Sequence, residues 1–197
     1  MRMNKILRGE NHKYTINGKP AIGVNELLDL FGMKKKIPEH FLKNAFHKGT
    51  CVHSVAELHL ADTLDEENLD DALKPYLKGF EKFKKENPFE VFETEMLVGS
   101  EALGICGQLD CLANKKGQLI YDWTISKNVG DWKWIQVALY QYLYNITHNP
   151  LRVDDISIVS ILPGNYQIQP KPSKWSPSQL AENIVYLYQW RKGRNLL

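Results

Sequence analysis

With 197 residues and 43% apolar side chains, the chain is long and apolar enough to bury a core, which excludes a disordered tail. No apolar run approaches the roughly 20 residues that cross a bilayer, and residues 1–10 are polar without an apolar signal stretch. A net charge of +2 does not announce a polyanionic partner, and Cys51, Cys106 and Cys111 make neither a disulfide framework nor a four-cysteine metal site. A cytoplasmic protein with no membrane partner is expected, with Cys106 and Cys111 as buried thiols.

Residues 14–22 form a small hairpin around Asn17-Gly18, because both turn positions tolerate positive φ. Asn25 is expected to cap a short helix through Leu30, which Gly32 ends. From residue 41 to about 64 the apolar positions Val52, Val55, Ala56 and Leu60 follow a helical period, with an interruption expected at Lys48-Gly49. Residues 70–85 make a second amphipathic helix with Leu73, Leu77, Phe80 and Phe83 toward the core, closed by Asn87-Pro88.

The pattern then changes to three strands, at 91–98, 104–113 and 119–125, the last two joined by a tight turn at Lys115-Lys116-Gly117. A helix rich in Tyr and Leu follows from 131 to about 145. Next come an apolar strand at 155–162, a turn at Pro163-Gly164-Asn165 and a short strand at 166–169. Ser176 caps the last helix and Pro177 suits its first position; it runs to about residue 192, with Tyr186, Tyr188 and Trp190 expected to pack on a core. A strand, helix, strand unit implies a right-handed crossover and a parallel pair. The fold class is therefore α/β, a central mixed β-sheet flanked by helices. The organisation expected is one domain over 1–197, with 1–40 as hairpin and short helix and 41–197 as the core.

Asp110 and Asp122 carry the first chemical signal. By the period of two, Ile105, Gly107 and Leu109 share one strand face, and Cys106, Gln108 and Asp110 the other. Ile120, Asp122 and Thr124 share a face of the next strand. A carboxylate inside an apolar strand is costly unless it is paired or binds a cation. Two of them on adjacent strands can converge on one hard divalent ion. Taken singly, Asp110 also suits a turn cap and Asp122 a lysine partner. His53 and Glu57, four apart on the first long helix, project from one face, as do Lys133, Gln136 and Tyr140 on the helix after the third strand. Each set also suits an ordinary helix surface. Basic clusters occur at Lys34-Lys35-Lys36, Lys82-Phe83-Lys84-Lys85, Lys115-Lys116 and Arg191-Lys192-Gly193-Arg194, offset in the sum by an acidic stretch at 62–71, and short lysine runs also suit solvated faces. Lys34, Lys35 and Lys36 are candidate phosphate contacts.

The strings Gly107-Gln108-Leu109-Asp110, Asp122-Trp123-Thr124-Ile125-Ser126-Lys127 and Gln136-Val137-Ala138-Leu139-Tyr140 together resemble the RecB-type, phage exonuclease-like branch of the PD-(D/E)XK nucleases. Gly49-Thr50-Cys51-Val52-His53 resembles that family's helical histidine motif. The resemblance implies a restriction-endonuclease-like core and a Mg²⁺- or Mn²⁺-dependent DNA nuclease, an exonuclease acting on single- or double-stranded DNA. Recombination, repair or replication in a phage or its host's cytoplasm is the implied setting, with proteins of those processes, or further copies of the chain, as partners. It implies His53, Asp110, Asp122 and the Trp123 backbone carbonyl as metal ligands, Glu57 or Glu95 as support for a second ion, and Gln136 and Tyr140 as positioning groups. With three cysteines and no Walker A string, neither an iron–sulfur cluster nor a nucleotide is expected.

The match breaks at Thr124, which stands where the family carries its catalytic lysine. Thr supplies no cation to a developing phosphorane. Three accounts are open: the lysine has migrated, the chain binds DNA as an inactive pseudo-nuclease, or Thr124 is an engineered replacement. Lys133 is the best native substitute, one turn from Gln136. Lys127, also a candidate DNA contact, is near but has the wrong strand parity.

Overall fold

Asn17 and Gly18 adopt φ of 52° and 81°, the left-handed pair that a two-residue hairpin turn needs. They join β2 (Tyr14–Ile16) to β3 (Lys19–Gly23), and a strand with no clear sequence signal, β1 (Ile6–Arg8), pairs antiparallel with β2. The computed structural model describes residues 5–10, 13–34, 39–148 and 150–197, and of 39–46 the backbone alone. Helix α1 (Val24–Leu30) is capped by Gly23, so Asn25 sits inside the first turn and is not its cap. Gly32, at φ 63°, ends it in a Schellman motif, with Met33 N–H on the Leu28 carbonyl at 2.9 Å and Gly32 N–H on that of Asp29 at 3.0 Å.

Helix α2 (Glu39–Leu60) runs unbroken through Lys48-Gly49, against expectation. A helix-interior Gly costs only about 1 kcal/mol, which its packed neighbours offset. Helix α3 (Lys74–Glu86) starts four residues later than the periodicity suggested. Asp70 instead closes a turn, accepting Leu73 N–H at its carbonyl and Ala72 N–H at its carboxylate, both at 2.8 Å. Pro75 then fits the first helical turn, where it removes no needed donor.

The remaining elements are β4 (Glu90–Ser100), β5 (Ile105–Asn114), β6 (Gln118–Thr124), α4 (Asp131–Thr147), β7 (Asp155–Leu162), β8 (Asn165–Ile168) and α5 (Pro177–Lys192). Among the described residues the eight strands form one sheet, ordered β1-β2-β3-β5-β6-β7-β8 with β4 on the other edge of β5. The pairs β3–β5 and β6–β7 are parallel and the others antiparallel. This is the mixed, helix-flanked α/β arrangement expected of a restriction-endonuclease-like core.

Two apolar layers cover the sheet. Helices α1, α4 and α5 pack Leu27, Leu28, Leu139, Leu143 and Ile184 over one face with Ile120 and Ile158. Helices α2 and α3 pack Val52, Ala56, Phe80 and Phe83 over the other with Tyr121 and Trp123. Tyr188 is buried in the first layer, but Trp190 is 45% and Tyr186 74% exposed, correcting the expectation that all three pack inward. The inward face of α5 is set by Ala181, Ile184, Val185 and Tyr188, and the other two rings fall outside that helical stripe. Cys106 and Cys111 are fully buried, and burial pushes both thiols up to about 12. Among the described residues no helix is long and apolar enough to cross a membrane.

One feature of β5 positions the rest. Its first edge is paired with β4 along its length. Its second edge is shared: β3 pairs with Ile105 and Cys106, and β6 with 111–114. Between them, over 107–110, no described strand pairs on that edge. Alternation also shifts there, since Leu109 and Leu112 enter the first apolar layer and Cys111 the second. The strict period of two expected for this strand therefore fails at Asp110.

Candidate metal centre

The strand registers set three carboxylates in a row. Thr94 pairs with Cys111 and Met96 with Leu109, which places Glu95 beside Asp110. Cys111 pairs with Tyr121 at the end of the β5–β6 ladder, which places Asp122 on the other side of Asp110. Where that ladder ends, the Trp123 N–H turns to the Asp110 carboxylate and donates to Oδ2 at 2.7 Å. Glu95 has φ 51°, a left-handed backbone that costs a non-glycine residue on the order of 1 kcal/mol. That conformation goes with a carboxylate carried into the row.

Two helices complete the group from opposite faces of the sheet. His53, on α2, brings Nδ1 to 3.2 Å from Asp110 Oδ2. One ligand atom each from His53, Glu95 and Asp110 lies within 4.8 Å of the others. Lys133, on α4, places Nζ 2.7 Å from Asp122 Oδ2, with side-chain exposures of 14% and 2%.

The electrostatics follow from this crowding. Burial pushes the Asp122 carboxyl up to about 6, with Asp110 adding to the rise and Lys133 opposing it. Burial, then Asp110 and Glu57, push Glu95 up to about 7. Asp110 is different. Burial would raise it, but His53, Lys133 and the Trp123 N–H together hold it below the usual carboxylate range. His53 is raised despite burial by Asp110, and Lys133 despite burial by Asp122 and Asp110. Buried carboxylates that resist ionising beside one another form a place where an added cation lowers the free energy. The donors are oxygens and one imidazole, a set that suits Mg²⁺ or Mn²⁺.

The other sequence candidates fall as follows. Thr124 uses its Oγ1 to accept the Ser126 N–H at 3.2 Å, a local turn. Lys127 is exposed on the loop after β6, and its carbonyl accepts Gln169 Nε2 at 2.9 Å. Gln136 Nε2 donates to Tyr140 Oη at 3.0 Å and to Asn25 Oδ1 at 2.8 Å, so the two motif residues bond to each other and to α1. Burial, then Asp122 and Asp110, push the Tyr140 phenol well above its usual range. Gly107 lets that ring lie on β5: a Cβ there would come 2.5 Å from Tyr140 Cε1. Glu57 lies on the His53 face of α2, one turn on, and its charge is felt at Glu95. Lys34 Nζ reaches the Asn25 carbonyl at 3.1 Å and Asp29 at 3.4 Å. Lys35 and Lys36 lie outside the described residues.

Sequence reasoning missed Arg8. From β1 it donates to Gln108 Oε1, and Gln108 Nε2 donates to the Glu95 carbonyl at 2.9 Å. A single Arg in a three-residue strand gives no signal of this. Also missed is an outer group, His59, Glu66 and Glu81, with ligand atoms within 4.8 Å of one another on a solvent-facing rim.

No family model matches the chain, and no curated protein does. Among solved structures, a candidate exonuclease from Eubacterium rectale is similar at 15% identity and a TM-score of 0.47, over 91% of this chain and 76% of that one. A protein named SSO0001 is similar at 13% identity and a TM-score of 0.32, over 83% and 84%. At these TM-scores neither likeness assigns a branch or an activity.

Proposed function

We propose that the chain is a metal-dependent nuclease that hydrolyses phosphodiester bonds in DNA, with Lys133 serving in place of the lysine missing at Thr124. The observation that carries this is the buried Lys133–Asp122 pair at 2.7 Å, set beside the ligand atoms of His53, Glu95 and Asp110. In this reading His53, Asp110, Asp122 and the Trp123 carbonyl hold Mg²⁺ or Mn²⁺, and Glu95 with Glu57 supports a second ion. The bound ion supplies Lewis acidity and a water of lowered pKa.

The chain's own residues do the rest. Asp110 fixes the His53 ring through Nδ1, and the Trp123 N–H fixes Asp110. Lys133 holds a positive charge in a dry setting, where it stabilises developing phosphoryl charge far better than it would in water. Gln136 and Tyr140 brace the α4 wall that carries Lys133. The whole of 1–197 serves as one nuclease-like domain. The narrower expectation, an exonuclease of phage-type recombination, repair or replication acting with partner proteins or as an oligomer, rests on the motif resemblance alone.

One observation favours a second reading. Thr124 carries no charge and Lys133 already occupies Asp122, as in a relic that binds DNA without cutting it. End-labelled single- and double-stranded DNA, incubated with Mg²⁺, Mn²⁺ or EDTA, separates the two. EDTA-sensitive cutting that Asp110→Asn abolishes supports the nuclease. Binding without cutting under every metal supports the relic. Undiminished Mn²⁺ binding by Asp110→Asn overturns the ligand set.

A further inference from the structure

Among the described residues five cations outside the metal centre sit over aromatic rings; one, Lys48 over Tyr76 at 4.9 Å, joins α2 to α3, and the other four lie together on the α1–α5 side. Lys34 Nζ is 5.6 Å from the Trp132 ring, Arg191 5.4 Å from Phe31, Arg194 5.0 Å from Trp190 and Lys192 5.8 Å from Tyr188. These pairs are connected. Lys133 and Gln136 share a face of α4, and Gln136 reaches Asn25 at one end of α1. Lys34 Nζ rests on the Asn25 carbonyl, and its backbone lies three residues from Phe31 at the other end of α1. Phe31 carries Arg191, and Arg194 stacks on Trp190 in the next turn. Seven residues of helix span about 10 Å, so α1 bridges the metal centre to the end of α5.

We propose that a single nucleic-acid strand lies along this path, from the metal centre over α1 to the C-terminal end of α5. The proposal rests on the nuclease reading for the strand's identity. Cations that meet phosphates, beside an exposed ring on which a base can stack, are what an unpaired strand requires; Trp190 is such a ring, whereas Tyr188 lies in the core and only seats Lys192. The path is a single row of cations. Glu26 and Asp29 stand on the exposed face of α1 beside this row, Asp29 engaged by Lys34 and Glu26 near enough to Tyr188 to add to the rise that burial gives its phenol. A row so bordered suits one backbone better than the two of a duplex. The macrodipole of α5 accounts for Arg191 and Lys192 in its last turn, but not for Arg194 beyond it or for Lys34. Trp190 is 45% exposed and carries Arg194 at 5.0 Å, so ring and cation are presented together.

The test is fluorescence anisotropy with labelled poly(dT) and its duplex with poly(dA), in EDTA so that nothing is cut, over a range of salt. The Arg191→Ala, Arg194→Ala pair is expected to flatten the logarithmic salt slope for the single strand by about 1.4, at about 0.7 per lost phosphate contact. Trp190→Ala is expected to weaken single-strand binding about tenfold at every salt. Thermal melts serve as the folding control for these exposed side chains. Folded variants that bind poly(dT) with unchanged slope and affinity overturn the proposal, as does an equal loss on the duplex. Because the assay needs no metal, failure of DNA cutting would sink the nuclease reading and leave this result standing on its own.

Discussion

Replacing Lys133 by Met keeps most of the side-chain stem and removes the ammonium 2.7 Å from Asp122. The stability cost is bounded by protonation. Raised from its usual 3.8 to about 6, Asp122 already costs the metal-free fold about 3 kcal/mol once ionised. Holding a carboxyl of ordinary pKa protonated at about pH 7.5 costs about 5 kcal/mol. Loss of the ammonium can therefore add about 2 kcal/mol before Asp122 simply takes up a proton. Release of the buried lysine's own desolvation reduces this further. At about 2–4 °C per kcal/mol for a chain of this size, Asp122 alone lowers Tm by about 4–8 °C, loss of the ammonium's pull on Asp110 adds to this, and the variant should fold. The rate should fall far more, by about 10²–10³, the usual cost of one preorganised charge-stabilising donor. Single-turnover cleavage of end-labelled DNA at saturating Mg²⁺, beside thermal melts, measures both. Thr124→Lys on the Lys133→Met background should recover at least about tenfold, because position 124 lies two residues beyond Asp122 on β6. A folded Lys133→Met protein that cuts within about threefold of the parent would refute the lysine relocation.

Three further outcomes are expected. Glu95 and Asp122 have folded pKa values raised to about 7 and about 6, so each destabilises the metal-free protein as pH rises toward those values, and each must lose its proton to take a cation. Titration calorimetry with Mn²⁺ should show affinity climbing most steeply below about pH 6 and levelling above about pH 7.5, while the metal-free Tm falls over the same range; a flat affinity profile contradicts the ligand assignment. Glu95→Gln should raise the metal-free Tm at about pH 8 by a few degrees, since it removes a crowded carboxylate, and weaken Mn²⁺ binding at least about tenfold; a lowered Tm with unchanged binding would contradict both parts. Gly107→Ala should destabilise by about 1–3 kcal/mol, because the new Cβ meets Tyr140 Cε1 at 2.5 Å. Removing the ring in a Gly107→Ala, Tyr140→Ala double variant should make the two losses less than additive in denaturant melts.

Much of the fold was legible because its signals are local. Asn17-Gly18, Gly32, Ser176-Pro177 and the alternation of β7 each act within a few residues, and the elements they predict lie within a residue or two of those observed. What failed was also physical. Asn25 looked like a cap, but its side chain is taken by Gln136, 111 residues away. Asp70 looked helical by period, yet its carboxylate captured a neighbouring N–H first. At the site, spacing brought out His53, Asp110, Asp122 and Lys133, since helical and strand periods put side chains on faces. Whether those faces meet depends on register. The placing of Glu95 beside Asp110 comes from the β4–β5 pairing, and Arg8 meets Gln108 from β1, 100 residues away in the chain, neither of which a linear pattern carries.

The gap in β5 links the fold's cost to the proposed chemistry. A strand between two fully paired neighbours would bury its carboxylates against backbone and side chains alone. Here β3 and β6 part over 107–110, and the Tyr140 ring lies over the face of β5 at Gly107. At its end the Asp110 carboxylate accepts the Trp123 N–H. Strand divergence thus removes ladder bonds where charge is to be concentrated and supplies an N–H for the acid that stays ionised. It also lets helices from both faces reach the same row, His53 from α2 and Lys133 from α4. A lysine on the strand at position 124 would project from the same sheet face as Asp122, two residues on, and run alongside it. A lysine on α4 can approach Asp122 from the face that Gln136 and Tyr140 brace, so moving the cation from strand to helix keeps the charge at the carboxylate while freeing Thr124 to close the turn that leads into α4.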